Sequence, residues 1–315
     1  MKLYMHTNFC KPIIPQNNNF TLLRIICCFI VIYEHAIKLT SSTWIILNLR
    51  ETAVNIFFII SGFWVTSSYL SSSTIKKYLV KRLKKIFPLY LSVVIGFSIL
   101  LVFVSTLSIK EYFMTNDYWK YIIANVCTLN FLHPNLPGVF NGAPVNGSLW
   151  TIKIELGFYI LLPLIIHLCL YKYNKNTGGG YRCLVILTVI CLLSLSYGEI
   201  MPIITKKYFL PSSLSNQLPA YMSYFVCGMA FFFFFEILEP LLNKLIIIAL
   251  PLLIICIILK NNNYPAIIEP IVLSVTIMWF AFKVKFLFRF SKIHDFSYPL
   301  YLIHYPIIML IKELV

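Results

Sequence analysis

The sequence predicts an all-α fold, a polytopic transmembrane helical bundle of about nine or ten membrane segments. Three observations carry that expectation. Hydrophobic residues fill 59% of the 315 positions and charged residues only 12%, with a mean hydropathy of +0.83, far from a soluble domain's balance. Ten apolar stretches follow one another, near 21–38, 53–70, 88–107, 119–132, 149–171, 183–200, 219–238, 245–259, 265–282 and 297–314. Nine of these approach or reach the roughly 20 residues that cross hydrocarbon. Finally, Lys and Arg gather at alternate connections, as they do when basic loops stay inside.

The stretch 119–132 is short and amphipathic, so it reads as a re-entrant or interfacial piece. With the N-terminus inside, the inner connections near 71–86, 172–182, 239–244 and 283–296 then hold fourteen Lys/Arg against seven in the outer ones. That bias predicts nine crossings and an outside C-terminus. It also accounts for a net charge of +15 without a nucleic-acid partner; basic loops orient the chain and meet anionic lipid. The chain reads as one membrane domain over 1–315 with no attached soluble domain. No internal repeat is visible, which argues against an inverted-repeat transporter. Nine scattered cysteines lack any CxxC or Cys/His ligand spacing, so they read as small buried hydrophobes and predict neither metal nor disulfide framework.

The first span, LLRIICCFIVIYEHAIKL, carries Arg24 and His35 eleven residues apart. Three helical turns separate them, so they share a face at roughly 16 Å along the axis. Ionisable groups inside a span are costly and mark function. The second span, AVNIFFIISGFW, places Asn55 near its outer end, while Ser61 and Gly62 suit close helix packing. The inner loop KKYLVKRLKKIFPLY is ordinary positive-inside anchoring for most of its charge. Arg82 and Lys85, one turn apart, also suit the phosphates of an anionic cytosolic ligand.

The connection PNLPGVFNGAPVNG has turn chemistry and no Lys or Arg. After it, SLWTIKIELGFYILLPL aligns Ser148, Glu155 and Tyr159 on one helical face. Glu155 lies two turns into an apolar span in the outer half of the membrane, as does His35. A carboxylate there suits either an imidazole that it orients or a structural pair with a lysine such as Lys153. In the last span, SYPLYLIHYPII, Tyr298, Tyr301 and His304 recur every third residue. Tyr298 suits an interfacial anchor, and His304 lies near mid-helix. His133 and His167 show no partner pattern and read as structural.

Together these blocks resemble the acyltransferase-3 family of membrane O-acyltransferases. Its first-span Arg-X10-His is similar to Arg24 and His35, and its FFxxSGF block to Phe57 through Phe63. Its basic RxxR-like loop before a proline resembles Arg82 to Pro88, with Lys85 in place of the second arginine. Its LWT…E…FY block resembles Leu149-Trp150-Thr151 with Glu155, Phe158 and Tyr159, and its last block Ser297 to Tyr301 with His304. Family members usually carry one more hydrophobic helix after that block.

The resemblance implies transfer of an acyl group, most simply acetyl from cytosolic acetyl-CoA, to a hydroxyl of a cell-surface polysaccharide or its lipid-linked precursor. The setting it implies is the bacterial inner membrane, with acyl-CoA as co-substrate and no permanently bound cofactor. His35 is then the base and Glu155 its orienting carboxylate, while Arg24, Arg82 and Lys85 hold the coenzyme. Asn55, Ser61, Trp150, Tyr159, Tyr301 and His304 are left as substrate or oxyanion contacts. A polysaccharide exporter or flippase is the other class compatible with a charged stripe along a span.

Overall fold

The computed structural model describes residues 11–40, 49–171, 179–262 and 266–314. Among them there is no strand. The helices are α1 (Phe20–Thr40), α2 (Arg50–Leu70), α3 (Ile75–Leu100), α4 (Ile109–Met114), α5 (Asn116–Val126), α6 (Trp150–Leu170), α7 (Gly179–Lys207), α8 (Leu218–Phe233), α9 (Phe235–Asn261), α10 (Glu269–Lys283) and α11 (Ser297–Leu314). The helical membrane bundle predicted by hydropathy is the observed fold class.

Six helices among the described residues are long and apolar enough to cross a membrane: α1, α2, α3 with its 3₁₀ extension to Val104, α6, α7 and α9. The other stretches expected to cross form shorter helices. Those of α8, α10 and α11 have 16, 15 and 18 residues. At 1.5 Å per residue, α8 rises only about 24 Å. It stops where Phe234 leaves helical geometry, and α9 starts at the next residue. The short stretch near 119–132 yields α5, whose 11 residues are capped by the Thr115 hydroxyl. Its Trp119 and Ile123 are exposed, as an interfacial helix would have them.

The chain forms two compact units. One comprises residues 1–24, 51–79 and 155–294. Here α2 and α8 touch backbone to backbone. A Cβ on Gly62 would lie 2.0 Å from the Phe225 carbonyl oxygen, and one on Gly228 2.1 Å from that of Ile59. Only a pair of glycines allows that approach, the small-residue packing expected of the Ser-Gly pair. Around it Phe158 stacks on Phe225 with centroids 4.3 Å apart, and Phe20 and Phe235 meet Phe282 edge-on while Phe63 is tilted against it. The apolar windows of α7 and α9 are only 22% buried against 61% for α2, so hydrocarbon-facing residues dominate the former pair.

The second unit comprises residues 25–50, 80–154 and 295–315. A capping box between Ser108 and Glu111 starts α4. Tyr90 donates to the Asn125 carbonyl at 2.6 Å, and Asn125 in turn donates to His133 at 3.0 Å, fixing the connection that follows α5.

Prolines inside helices leave the carbonyl four residues earlier without its N–H partner. In each unit a polar side chain supplies the missing donor. Pro163 frees the carbonyl of Tyr159, which accepts from the Tyr78 hydroxyl at 3.2 Å. Pro306 frees that of Leu302, which accepts from Asn146 Nδ2 at 2.8 Å. In an apolar surrounding an unpaired carbonyl costs several kcal/mol, so these donors offset what the two prolines remove.

Candidate active site

Near the end of α1, Glu34 and His35 are both buried, 1% and 8% exposed. Each needs a polar partner there. Glu34 finds one in the chain entering α2: its Oε1 accepts from the backbone N–H groups of Leu49 and of Arg50, the latter at 3.1 Å. N–H groups in a helix's first turn have no intrahelical acceptor, and the helix dipole favours an anion beside them. This contact also fixes the backbone of Arg50, whose Nη1 reaches 3.3 Å from His35 Nε2.

The other ring nitrogen of His35, Nδ1, lies 2.8 Å from Nε2 of His304 on α11. The two imidazoles are nearly parallel, with centroids 5.1 Å apart and planes 20° apart. Tyr305 stands edge-on to His35 at 5.3 Å. Gly147 makes room for that ring, since a Cβ there would fall 2.8 Å from it. His304 Nδ1 lies 2.7 Å from the carbonyl oxygen of Tyr301.

The two ends of this line determine its protons. A carbonyl only accepts, so His304 Nδ1 carries hydrogen and, in the neutral ring, its Nε2 is the acceptor. His35 must then donate from Nδ1, which leaves a lone pair on its Nε2. A guanidinium only donates, so Arg50 meets that lone pair correctly. Both ends require the same tautomers. His35 therefore presents a basic Nε2 on the side of Arg50, held in place by three successive hydrogen bonds.

Around Tyr301 a further network is closed. Its hydroxyl lies 3.0 Å from Thr151 Oγ1 and 3.3 Å from the Ser148 carbonyl, and Ser148 donates to Asn146 Oδ1 at 2.7 Å. With Asn146 also bound to Leu302, the connection before α6 is tied to α11 at two levels.

Comparison with known proteins supplies the family. The family described as "Acyltransferase domain", acyltransferase-3, matches residues 17–315. The chain belongs to the acyltransferase-3 family. It is 31% identical over 176 residues to Nodulation protein 10 of Rhizobium leguminosarum bv. viciae, covering 52% of this chain and 47% of that one. It is 27% identical over 187 residues to an O-acetyl transferase of Shigella phage Sf6, covering 57% and 53%. The chain spans about half the length of the curated relatives it matches. No solved structure matches. An acyltransferase-3 domain in an integral membrane protein thus occupies nearly all of the sequence.

In this acyltransferase-3 domain the residues singled out by sequence divide between the two units. His35, Arg82, Lys85, Trp150, Tyr301 and His304 belong to one, and Arg24, Asn55, Ser61, Glu155 and Tyr159 to the other. His35, His304 and Tyr301 are brought into one hydrogen-bonded line. The carboxylate expected to orient His35 has a different neighbour in its own unit: Glu155 Oε1 accepts from the Tyr159 hydroxyl, one turn along α6. Within its unit the ring nitrogens of His35 meet His304 and Arg50. Tyr301 and His304, expected as substrate contacts, bind protein groups. Arg82 is buried and Lys85 exposed on α3, and Arg24 is half-buried on α1. Asn55 Oδ1 and Ser61 Oγ are buried without hydrogen-bond partners among the described residues. Tyr298 donates to the Ile86 carbonyl at 2.9 Å.

Sequence reasoning passed over Arg50, Glu34 and Asn146. A signal existed for two of them. Arg50 lies in a connection that the basic-loop bias predicts to be outside, where arginine is uncommon, and Pro306 announces a carbonyl at Leu302 in need of a donor.

Proposed function

We propose that this protein transfers an acyl group, most simply acetyl, from acyl-CoA on the cytosolic side to a hydroxyl of a cell-surface glycan or its lipid-linked precursor, in the bacterial inner membrane. The observation that carries this reading is the hydrogen-bonded line ending at His35 Nε2, which supplies a neutral, oriented base inside a helical membrane bundle.

In this reading the acceptor hydroxyl displaces Arg50 from Nε2 and gives its proton to that nitrogen as its oxygen attacks the thioester carbonyl. The new C–O bond forms and negative charge develops on the carbonyl oxygen. The displaced guanidinium, still tethered through its backbone by Glu34, is a suitable donor to that oxyanion. Collapse breaks the C–S bond, and the imidazolium returns its proton to the departing thiolate. Throughout, His304 accepts from His35 Nδ1 and keeps the ring in register, the role an orienting group has in a catalytic triad. Arg24, Arg82 and Lys85 are the cations proposed for the coenzyme's phosphates. The name of the phage relative, an O-acetyl transferase, supports acetyl as the group moved.

The test uses purified protein in lipid nanodiscs, radiolabelled acetyl-CoA and lipid-linked glycans extracted from the host. Label should pass to glycan in the wild type and not in His35→Ala. Transfer undiminished in His35→Ala sinks the assignment of the base. Glycan translocation without any label transfer favours an exporter.

A further inference from the structure

Within the unit that contains α7 to α10, far along the chain from His35, lies a polar cavity of about 280 Å³. Its walls include Ser194, Glu199, Ser223, Tyr224, Lys260 and Glu269. Glu269 is 2% exposed, at the first turn of α10, and Ser223 is 1% exposed on α8. The Glu269 carboxylate accepts from Lys260 Nζ at 3.0 Å and from the Tyr224 hydroxyl at 2.9 Å. Lys260 also lies 3.9 Å from Glu51. The backbone N–H of Ser223 is held by Ser194 Oγ at 2.8 Å, which fixes the place of the Ser223 side chain in the wall.

A buried ion pair returns little net stability, because desolvating both charges costs about as much as their attraction gains. Apolar packing would hold α9 to α10 at least as well. What the pair provides is a fixed set of acceptors and donors facing a cavity that the hydroxyl-bearing Ser194, Ser223 and Tyr224 also line. Such a set matches the alternating donors and acceptors of a polyhydroxylated ring. The size is near the lower end of ligand pockets, roughly 300–1,000 Å³, and suits one ring rather than a coenzyme. Glu199 and Glu269 outnumber Lys260, so phosphate-bearing ligands are disfavoured. On the orientation that the basic loops favour, α7 and α9 end, and α8 and α10 begin, on the outer side, where a glycan would arrive.

We propose that this cavity binds one uncharged sugar ring of the glycan acceptor. The proposal rests on the glycan-acceptor reading above. Gly198 gives a clean way to block the cavity: it lines the space, and a Cβ on it meets nothing within 4 Å. The experiment is saturation-transfer NMR on the full chain in nanodiscs without sugar-headed detergent. The probes are methyl β-D-glucopyranoside, methyl N-acetyl-β-D-glucosaminide, methyl α-L-rhamnopyranoside and, as the anionic control, glucose 6-phosphate. At least one methyl glycoside should give a signal that falls threefold or more in both Gly198→Phe and Ser223→Ala, while the phosphate gives none. No glycoside signal in the wild type, or a full signal in folded Gly198→Phe, overturns the proposal. Acetyl transfer is read separately on the same nanodiscs. A Gly198-dependent signal without any transfer defeats the glycan-transfer reading and leaves a sugar site. Transfer with an unchanged acceptor KM in Gly198→Phe, and no glycoside signal, defeats the site and leaves the function.

Discussion

Nδ1 of His35 lies 2.8 Å from Nε2 of His304, a partner 269 residues further along the chain. Because His304 is bonded on its other side to a carbonyl, it can only accept from His35, and the acid–base character of His35 Nε2 follows. Removing His304 should leave the substrates bound and lower kcat about 10²-fold or more, since a wrongly oriented base loses most of its contribution. His304→Gln retains an amide oxygen that can accept from His35 and should recover part of the loss seen in His304→Ala. Steady-state kinetics with a pH profile decide the matter. Equal activity in His304→Ala and the wild type, or no difference between Gln and Ala, contradicts a positioning role.

Glu34 and Arg50 act as a unit in this arrangement, the carboxylate holding the backbone that aims the guanidinium. Each alanine variant should reduce transfer, and the double variant should be little worse than Arg50→Ala alone. A double-mutant cycle on kcat/KM measures that coupling. Additive losses would show that Glu34 works independently of Arg50. Glu34→Ala should also cost about 1–2 kcal/mol of stability through the lost helix-start contact, visible as a lower thermal midpoint.

The α2–α8 crossing should be intolerant of a single methyl group. With a Cβ 2.0 Å from the Phe225 oxygen, Gly62→Ala must push the helices apart. A destabilisation of about 1–3 kcal/mol is expected, as for overpacked cores, read from thermal or denaturant unfolding in micelles. Gly96→Ala is the control, because a Cβ there meets nothing within 4 Å. Similar midpoints for the two variants would refute the close crossing.

Asn146 and Pro306 make a conditional pair. Asn146→Leu leaves the Leu302 carbonyl buried and unpaired, at a cost of about 1–3 kcal/mol. Pro306→Ala restores an N–H to that carbonyl and should reduce the cost of losing Asn146. Unfolding midpoints of the two single variants and the double variant test this directly; an Asn146→Leu penalty unaffected by Pro306→Ala rejects the link.

The membrane orientation offers a chemical test. Cys127 is exposed just after α5 and is expected outside. A membrane-impermeant maleimide applied to intact cells should label the wild type strongly and Cys127→Ser several-fold less. Label that requires cell lysis would reverse the orientation drawn from the basic loops.

The candidate site was only partly legible in the sequence. Period-three spacing marked Tyr301 and His304, and the cost of ions in hydrocarbon marked His35 and Glu155. Helical periodicity reports the face a residue occupies and says nothing about which other helix lies against that face. Hence spacing alone left Glu155 open to an imidazole or a lysine; within its own unit Glu155 meets Tyr159, and within its own His35 meets His304. Arg50 stood out only by lying in a connection that the basic-loop count places outside, a signal that spacing along α2 does not carry. Asn146 sat in a loop without periodicity of any kind.

By itself the sequence determined that this is an all-helical membrane protein, where its apolar segments run, and that α1 carries ionisable residues within a span. Those are local properties, written in the length and hydropathy of each segment, because hydrocarbon imposes the same requirement on every span. Only the tertiary structure decided which nitrogen of His35 is basic and what holds it there. That choice depends on a carbonyl on α11 and a guanidinium at the start of α2. Hydrogen-bond direction is a property of the assembled network, and no single segment contains enough of it.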